Sequence, residues 1–593
     1  MENLIQVLRE TCRNNPDKTA FLVKKSETWN AVTWSEFDKQ SDQIAAGLLS
    51  MGLKPGDAVS ILGETRLEWT LADLGAIKAR CVSIGIYQTL SGEQAAYILK
   101  DSGSKILFIE SQKQIEKIKP HLDELPGLQQ FVAWDDGVSG KNIISLNELM
   151  RRGDEALKAN PDLVKRTEEQ IHPSDVAIII YTSGTTGPPK GACLTHKNFL
   201  AELRATDLLE EKHVGDIMMF FLPLSHVGER IGQFMRIRHG ITGAYVQDIT
   251  KILDDIKEIH PTFFGSVPRI FEKAYARIRS ELDMASPIKQ KLFFWAETIG
   301  REASRKIQKG HDLPIGLKIK HALADRLVLS KIRDIFGGRV RYFLSAAAPI
   351  AIEIIEFFHA CGMTILEGYG QTEVTCFCTL NFPEEYRFGS VGKALPGIEL
   401  KIADDGEIMV KGDIVFQGYL NQPELNRKTL TDDGWIYTGD LGEIDEDGFL
   451  WITGRKKDII ITSGGKNVTP SNIENLIMNH PLIEHVMVHG DRRKYLTALI
   501  SLSPDNLPAW AESKGFKNLD YEELTKLDEI RQEVQSAVDE ANEHLARFES
   551  IKKFAIIPKP LEIETGELTP TMKVRRRIVE DRYMALLDTL YQD

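Results

Sequence analysis

The sequence predicts an α/β protein of more than one domain, and three observations support this fold class. Up to about Ile365, helical patterns alternate with short β-rich runs, which is typical of α/β layers with mostly parallel sheets. From Gly389 the β runs shorten and turn residues become frequent, which predicts a small antiparallel β subdomain. The chain has 593 residues, which is too many for one hydrophobic core.

Short apolar runs predict the strands of the α/β part. They read DAVSILG, CVSIGIY, KILFIE, DVAIIIYT, RYFLS and MTILEGYG. Between about 270 and 337 the pattern becomes continuously helical, and we expect a helical insert that covers a sheet. A membrane helix fits this stretch less well, although its LFFW sequence could still contact lipid.

The chain changes character again after GRKKD, at 454–458. The last section of roughly 135 residues is within the usual size of one domain. It mixes strands (HVMVHG, LTALISL and FAIIP) with helices. We therefore expect an N-terminal domain at 1–456, whose β subdomain covers about 389–456, and a C-terminal domain at 457–593.

Composition limits the class of protein. With 42% hydrophobic and 27% charged residues, the chain is an ordinary globular protein. There are 73 Lys and Arg against 86 Asp and Glu, a net charge of −13, which argues against a broad nucleic-acid surface. Six cysteines without zinc-finger spacing fit the reducing cytosol. Cys376 and Cys378 could form a metal or redox site, but packing as small apolar residues is the simpler interpretation.

Membrane insertion is not predicted. The N-terminus lacks the apolar core of a signal peptide, and no apolar run is long enough to span a bilayer. We expect a cytoplasmic protein, and peripheral contact with a membrane stays compatible with the sequence.

One apolar strand runs directly into a loop of small residues, YTSGTTGPPKG at 181–191. Its glycines can turn backbone N–H groups inward to form a nest for anionic oxygens, and Lys190 adds a cation. The spacing is not that of a P-loop, so a kinase-like interpretation is disfavoured. An ordinary turn is the other interpretation that the loop allows.

Four motifs in a fixed order resemble the ANL superfamily of adenylate-forming enzymes. They are YTSGTTGPPKG, EGYGQTE at 367–373, WIYTGDLGEIDEDGFLWITGRKKD at 435–458, and ELTPTMKVRR at 567–576. Within the superfamily, LPLSHVGER, VPRIFEKAYARI and LTPTMK are similar to the long-chain acyl-CoA synthetases. One departure is SAAAPI at 345–350, where many relatives have glycines after the serine.

The resemblance implies both a fold and an activity. The fold is a large N-terminal domain of two α/β layered subdomains and a small β-barrel-like subdomain, followed by a smaller mobile α+β C-terminal domain. The activity is ATP-dependent conversion of a long-chain fatty acid to acyl-AMP, and then thioester formation with CoA. ATP, Mg²⁺ and CoA are therefore the expected cofactors and co-substrates.

The resemblance also implies roles for individual residues. Tyr369 would lie against the adenine, and Asp440 would accept hydrogen bonds from the ribose hydroxyls. Mg²⁺ would be held by Glu373 and Thr185, which with Lys573 and His226 form the catalytic set. The further nucleotide-binding residues are Thr182, Ser183, Gly184, Thr186, Gly187, Lys190, Gly370, Gln371, Thr372 and Arg455.

Lys573 would be delivered by the C-terminal domain to bridge the carboxylate and the α-phosphate. After adenylation, that domain would rotate about Lys457 and present TSGGKNVTP to CoA, with Gly465 and Lys466 at the contact. Each feature has a simpler interpretation. The glycines could form a hairpin turn, Lys573 could be a solvated surface lysine, and His226 a structural histidine.

Two other functions stay open at this point. A fatty acyl-AMP ligase or acyl-carrier-protein ligase would keep the first half-reaction and use another acceptor. A nucleotide- or acyl-binding protein without catalysis would belong to a different class, and the presence of Lys573, Glu373 and Asp440 weighs against it. A homodimer is compatible with the resemblance, but no interface can be read from the sequence.

Overall fold

The structure is a computed structural model that describes residues 2–25, 28–182, 188–208, 213–246, 248, 251–569 and 571–592. The first α/β part contains the following elements: α1 (Leu4–Asn14), β1 (Thr19–Lys25), β2 (Thr28–Thr33), α2 (Trp34–Ser50), β3 (Ala58–Leu62), α3 (Leu67–Lys78), β4 (Val82–Ile86), α4 (Gly92–Ser102), β5 (Ile106–Ile109), α5 (Gln112–Ile118), β6 (Gln130–Ala133), β7 (Ile143–Ser145), α6 (Leu146–Ala159), α7 (Leu163–Glu168), β8 (Val176–Thr182) and β9 (Lys190–Thr195).

The second α/β part and the helical insert follow. Their elements are α8 (His196–Thr206), β10 (Ile217–Phe220), α9 (Val227–His239), β11 (Thr242–Tyr245), α10 (Ile252–Ile259), β12 (Phe263–Ser266), α11 (Pro268–Asp283), α12 (Pro287–Ile307), α13 (Ile315–Ala324), α14 (Ser330–Arg333), β13 (Tyr342–Ser345), α15 (Ile352–Ala360) and β14 (Ile365–Tyr369).

The remaining elements are shorter strands and the C-terminal helices. They are β15 (Thr379–Leu380), β16 (Lys393–Ala394), β17 (Ile398–Ile402), β18 (Glu407–Gly412), β19 (Gly418–Tyr419), α16 (Pro423–Thr429), β20 (Trp435–Ile444), β21 (Leu450–Arg455), β22 (Ile460–Ile461), β23 (Asn467–Val468), α17 (Pro470–Met478), β24 (Ile483–His489), β25 (Leu496–Leu502), α18 (Leu507–Ser513), α19 (Tyr521–Leu524), α20 (Asp528–Glu543), β26 (Ile551–Ile556) and α21 (Arg576–Thr589).

Two large sheets confirm the predicted α/β class. One has the strand order β19-β9-β8-β4-β3-β5-β6-β7, and the other β16-β15-β14-β13-β12-β10-β11-β1-β2. The pairs from β8 to β7 and from β14 to β1 are parallel. Every residue of β3 and β4 is buried, as expected for parallel strands that helices cover on both faces.

The β subdomain is a four-stranded antiparallel sheet with the order β17-β18-β20-β21. Within the described residues its outer strands do not pair with each other, so the sheet of this barrel-like subdomain is open. Closure needs a pairing between the first and last strands, and β21 instead leads into the C-terminal part. There, β24, β25 and β26 form a separate three-stranded sheet.

The helical insert packs on the second sheet. Its buried residues join those of β12, β13 and α15 in one hydrophobic cluster. α12 crosses α15 closely at Gly300. A Cβ at this position would lie only 2.3 Å from the Ala360 carbonyl oxygen. The prediction of a helical cover is therefore confirmed.

Candidate active site

The expected ribose site is a buried carboxylate held between two side chains. Asp440 in β20 lies directly opposite Arg455 in β21, and Tyr369 ends β14. The Tyr369 hydroxyl donates to Asp440 Oδ2 at 2.8 Å, and Arg455 Nε donates to Oδ1 at 2.9 Å. Burial and the nearby Asp440 raise the pKa of Tyr369, so the hydroxyl keeps its proton. These contacts orient an acceptor of the kind that a ribose diol needs.

In the loop after β14, the position of Gly370 has room for glycine only. A Cβ at Gly370 would lie 1.7 Å from the Cys376 carbonyl oxygen. The Cys378 N–H donates to the Tyr369 carbonyl at 2.9 Å, and the Gln371 amide donates to the Thr438 carbonyl at 3.4 Å. This packing brings the adenine motif against the β subdomain.

Cys376 and Cys378 are packed side chains of this loop. Both are buried, and burial raises the pKa of each thiol. Within the described part of the chain, no group of three or more His, Cys, Asp or Glu side chains could hold a metal ion. The burial and the raised pKa of both thiols fit the interpretation as small apolar residues.

Glu373 lies beside the base of the phosphate loop. It is buried in a short 3₁₀ turn at Thr372–Val374, where its Oε1 accepts a hydrogen bond from the Tyr419 hydroxyl at 2.6 Å. The Lys190 ammonium lies 5.6 Å from the centre of the Tyr419 ring. Burial and the neighbouring Lys457 lower the pKa of Lys190, and Glu373 opposes this shift. Tyr419 therefore contacts the Glu373 carboxylate through its hydroxyl and lies near the Lys190 ammonium through its ring.

Tyr419 is a residue that the sequence analysis missed. It lies in β19, which pairs with β9 so that Tyr419 is opposite Ala192. The long-range pairing of β19 with β9 brings it to Glu373, and the sequence analysis did not consider that pairing.

The phosphate loop connects the open ends of the β8–β9 hairpin. Thr182 pairs with Lys190 across these ends. The loop residues Ser183, Gly184, Thr185, Thr186 and Gly187 lie outside the described residues, so their predicted contacts with phosphate and Mg²⁺ stay predictions. At the described end of β9, Lys190 is close enough to Glu373 for that carboxylate to act on its pKa.

Lys573 reaches this region from the C-terminal part of the chain. The Thr569 N–H donates to the Lys573 carbonyl at 2.8 Å, and the Lys573 N–H donates to Thr569 Oγ1 at 3.0 Å, which closes a tight turn. The side chain is exposed, but the surrounding protein removes part of its hydration. This desolvation and the positive Arg455 lower the pKa of Lys573 to about 8, and Asp440 opposes the shift. The ammonium is therefore within electrostatic reach of the ribose-site pair.

His226 is half-buried and caps α9. Its Nδ1 accepts a hydrogen bond from the Gly228 N–H at 3.1 Å. Burial and the nearby Lys573 lower the pKa of His226 to about 4, so the ring is neutral at physiological pH. Because Nδ1 is an acceptor, the proton of the neutral ring lies on Nε2 and can be donated to a substrate. The capping bond is structural, and the free donor is compatible with the expected catalytic role.

The turn after β21 contains a lysine that is tied to the β subdomain and a local hydrogen bond that closes the turn. The Lys456 ammonium pairs with Asp405 at 2.6 Å and with Glu407 at 2.7 Å, both in the β subdomain. Asp458 N–H closes a turn on the Arg455 carbonyl at 3.0 Å. Lys457 lies exposed between these anchored positions. The predicted pivot is thus an exposed residue that directly follows a lysine paired with the β subdomain.

Two ion pairs join α11 to the C-terminal part. Arg269 pairs with Glu484 at 2.8 Å, and Lys273 pairs with Asp505 at 2.7 Å. A rotation of the C-terminal part would have to break both contacts. They therefore favour the arrangement in which Lys573 approaches Asp440.

The expected CoA segment forms a hairpin turn, which is the simpler interpretation that its glycines allowed. β22 and β23 pair across it, and Gly465 has a φ of 73°, a conformation that favours glycine. Gly465 and Lys466 are exposed. The Lys466 ammonium lies 5.7 Å from the Phe548 ring centre, so it belongs to the C-terminal part in this arrangement.

A row of polar groups at the carboxyl ends of β12, β13 and β14 was also missed. Ser266 pairs with Ser345, and Ser345 with Glu367, so the three side chains share one face. All are buried, and neither serine hydroxyl has a hydrogen-bond partner in the described residues. Burial raises the pKa of Glu367 to about 7. Serines that end β12 and β13, and a glutamate two residues before the end of β14, are the signal that could have predicted this row.

The SAAAPI departure has a consequence for the backbone. Ala347 has a φ of 73°, in the left-handed region that glycine occupies freely. That conformation costs an alanine about 1 kcal/mol. A glycine at position 347 would avoid this strain, so the alanine makes the loop less free.

Comparisons with known proteins agree with these motifs. Residues 8–420 match the family described as AMP-binding enzyme, and residues 457–593 match the AMP-binding enzyme C-terminal domain. The long-chain-fatty-acid–CoA ligase FadD15 of Mycobacterium tuberculosis is 34% identical over 593 residues, covering 100% of this chain and 97% of the relative. The long-chain-fatty-acid–CoA ligase ACSBG1 of Homo sapiens is 32% identical, covering 97% of this chain and 83% of the relative.

Solved structures share the fold at lower sequence identity. The anthranilate CoA ligase AuaEII in complex with anthranoyl-AMP has a TM-score of 0.75 at 21% identity, covering 99% of this chain and 98% of that one. ATP-bound MatB of Rhodopseudomonas palustris has a TM-score of 0.71 at 24% identity, covering 99% of this chain and 100% of that one. With both parts of the chain matched, the protein belongs to the family of AMP-binding enzymes, within the adenylate-forming ANL superfamily.

Proposed function

We propose that this protein is a long-chain fatty-acid–CoA ligase that uses ATP to make acyl-AMP and then acyl-CoA, releasing pyrophosphate and AMP. The observation that carries the proposal is the hydrogen-bonded Asp440–Arg455 pair with Lys573 in electrostatic reach of it. A lysine that loses hydration beside a second cation is destabilised unless an anion binds there. The triphosphate of ATP and the carboxylate of a fatty acid are such anions.

The first half-reaction requires positive charge where negative charge accumulates. A carboxylate oxygen attacks the α-phosphorus of ATP, and the bond to pyrophosphate breaks. Lys573 would stabilise both the attacking carboxylate and the α-phosphate, and Lys190 would hold the departing phosphates. Asp440 would fix the ribose, and Nε2 of His226 would orient the carboxylate by one hydrogen bond.

Mg²⁺ fits the residues present. Glu373 supplies a hard oxygen ligand, and one of its oxygens is fixed by Tyr419. Mg²⁺ needs few protein ligands when phosphate oxygens and water complete its shell. When bound, it neutralises charge on the phosphates. Thr185 is the second proposed ligand.

In the second half-reaction, Lys573 has to move away from the acyl-AMP. The CoA thiol attacks the acyl carbonyl, and AMP departs as the leaving group. We assign this step to a rotation of a C-terminal domain at 457–593 against an N-terminal domain at 1–456. Rotation about Lys457 would withdraw Lys573 and bring Gly465 and Lys466 toward the pantetheine arm.

Long-chain preference belongs to the same proposal. It is supported by the names of the full-length relatives. Each buried methylene contributes about 0.8 kcal/mol, so a pocket of sufficient depth selects chain length steeply. We also propose that the enzyme works in the cytoplasm; peripheral contact with a membrane and a homodimer are compatible with the sequence.

The proposal is tested by a panel of carboxylic acids incubated with ATP, Mg²⁺ and CoA, while AMP, ADP and pyrophosphate are measured. We expect AMP release that requires both a long-chain acid and CoA. Acyl-AMP that is transferred only to a holo-carrier protein would identify the alternative ligase. A lack of acid-dependent exchange of labelled pyrophosphate into ATP would identify a binding protein, and ADP would identify kinase chemistry.

The pH dependence of adenylation should report Lys573. Its pKa is about 8 in the free protein, and only the protonated form can stabilise the phosphate. We expect kcat/KM for pyrophosphate exchange to be flat below this pKa and to fall about tenfold per pH unit above it. Lys573→Arg should abolish this decline, because guanidinium stays protonated. An unchanged decline in Lys573→Arg would assign the titration to another group.

A further inference from the structure

The outer surface of the helical insert exposes an unusual row of large apolar side chains. Ile315, Ile319, Leu323 and Leu327 follow one another at intervals of four residues along α13 and the π-helical turn after it. Their exposed fractions are 81%, 67%, 51% and 38%. Because residues four apart share a helix face, they form one continuous stripe. Leu317 and Ala324 are buried, so α13 already has a separate inward face.

α12 exposes further large apolar residues at both of its ends. Ile307, at the end of α12, is 47% exposed, and Ile288, at its beginning, is 81% exposed. α12 and α13 are consecutive packed helices joined by a short connection, so Ile307 precedes Ile315 at the same end of the pair. Folded monomers rarely leave contiguous apolar surface of this kind without a partner.

The insert is firmly attached to the sheet, so the exposed stripe is not a result of poor packing. Ser304 Oγ lies 2.7 Å from His359 Nδ1, and Arg279 forms two hydrogen bonds with Glu297, at 2.8 and 2.9 Å. Gly300 allows α12 to approach α15 closely. The inward side of the insert is therefore well packed, and the stripe lies on the side that faces away from the protein.

The same segment has a charge opposite to that of the whole protein. Residues 287–331 contain ten Lys and Arg but four Asp and Glu, a net charge of +6, in a chain of net charge −13. Two of the acids, Glu297 and Asp325, form ion pairs with arginines. Nine of the ten bases are exposed. They are Lys289, Lys291, Arg305, Lys306, Lys309, Lys318, Lys320, Arg326 and Lys331.

We propose that this stripe (Ile307, Ile315, Ile319, Leu323 and Leu327) and its flanking bases dock the enzyme on an anionic lipid surface. Helices with an apolar face and basic flanks lie in the plane of the membrane, where the apolar face enters the headgroup boundary and the bases attract anionic lipid. A second copy of this chain fits less well, because it would oppose two surfaces of the same positive sign. Within the described residues, no helix has the length and apolarity that crossing a bilayer requires.

This inference deepens the proposed function and rests on it in one respect. Long-chain acids partition into membranes, so docking would hold the enzyme where its substrate is concentrated. The docking itself is a physical property of the surface. It can therefore be measured without ATP, CoA or a fatty acid.

The test is co-sedimentation of the full-length protein with vesicles of equal parts phosphatidylglycerol and phosphatidylcholine, or of phosphatidylcholine alone. We expect binding to the anionic vesicles that weakens as salt is added. The double variant Lys318→Gln/Lys320→Gln should bind on the order of thirtyfold more weakly, because each base near such a surface contributes about one kilocalorie per mole. Ile315→Ser/Ile319→Ser should lose more than about tenfold.

Matched controls are exposed residues outside the insert. Lys158→Gln/Lys165→Gln and Leu519→Ser remove the same kinds of side chain and should leave vesicle binding unchanged. The proposal would be overturned by equal binding to both vesicle types, by no binding to either, or by an equal loss of vesicle binding in the control variants. The proposal would also be overturned if the protein were a dimer that Ile315→Ser/Ile319→Ser dissociates while vesicle binding stays intact. The stripe would then join two copies of the chain.

Failure of the proposed function has a different signature. AMP release from a long-chain acid supplied on albumin, measured without vesicles, reports catalysis alone. Vesicle binding without AMP release would reject the ligase and keep the docking surface. AMP release without vesicle binding would reject the docking surface and keep the ligase.

Discussion

Lys573→Ala is expected to lower the rate of acyl-AMP formation by about 10²–10³-fold while transfer of synthetic acyl-AMP to CoA stays near the wild-type rate. A preorganised cation facing the reacting phosphate typically contributes an effect of this size. The side chain lies close enough to Arg455 and Asp440 for both to affect its pKa. Acyl-AMP already carries the bond that the lysine helps to form, so the second half-reaction should not need it.

The two half-reactions should be measured separately, one by pyrophosphate exchange and the other by acyl-CoA formation from synthetic acyl-AMP. Lys552→Ala removes an exposed lysine of the same part of the chain and should affect neither rate. The expected result is a split between the two assays. Equal loss of both activities in Lys573→Ala would reject the view that the lysine serves only adenylation.

Lys457→Pro is expected to have the opposite pattern, in which acyl-AMP is made but its transfer to CoA is slowed. Proline fixes its own φ and restricts Lys456, so the turn cannot adopt a second backbone conformation freely. An incompatible proline costs on the order of 3 kcal/mol, which lowers the population of the rotated form about a hundredfold. In this structure Lys573 is already close enough to Arg455 and Asp440 for both to act on its pKa, so adenylation should continue.

Lys457→Ala is the matched control, because it removes the ammonium and leaves the backbone free. It should transfer acyl-AMP at a rate close to that of the unmodified enzyme. The measurement is single-turnover decay of enzyme-bound acyl-AMP after addition of CoA. A normal rate of decay in Lys457→Pro would show that no rotation about this residue is required.

The sequence predicted most of the elements because each has a local cause. The apolar runs at Val176–Thr182 and Tyr342–Ser345 form buried strands, and the continuous helical pattern forms α11, α12 and α13. At Gly370 the neighbouring backbone leaves no room for a Cβ, and at Gly465 the backbone has a positive φ. Steric limits of this kind act over a few residues, so the local sequence records them.

The sequence alone therefore determined the α/β class, the order of the motifs and the identity of the candidate residues Asp440, Glu373 and Lys573. Only the tertiary structure decided that Tyr419 holds Glu373, and that the β subdomain is an open sheet. It also decided that the isoleucines of α13 face outward among lysines. The physical reason is range: propensity and backbone sterics act between neighbours in sequence, whereas strand pairing, burial and electrostatic shifts depend on groups that only the folded chain brings together.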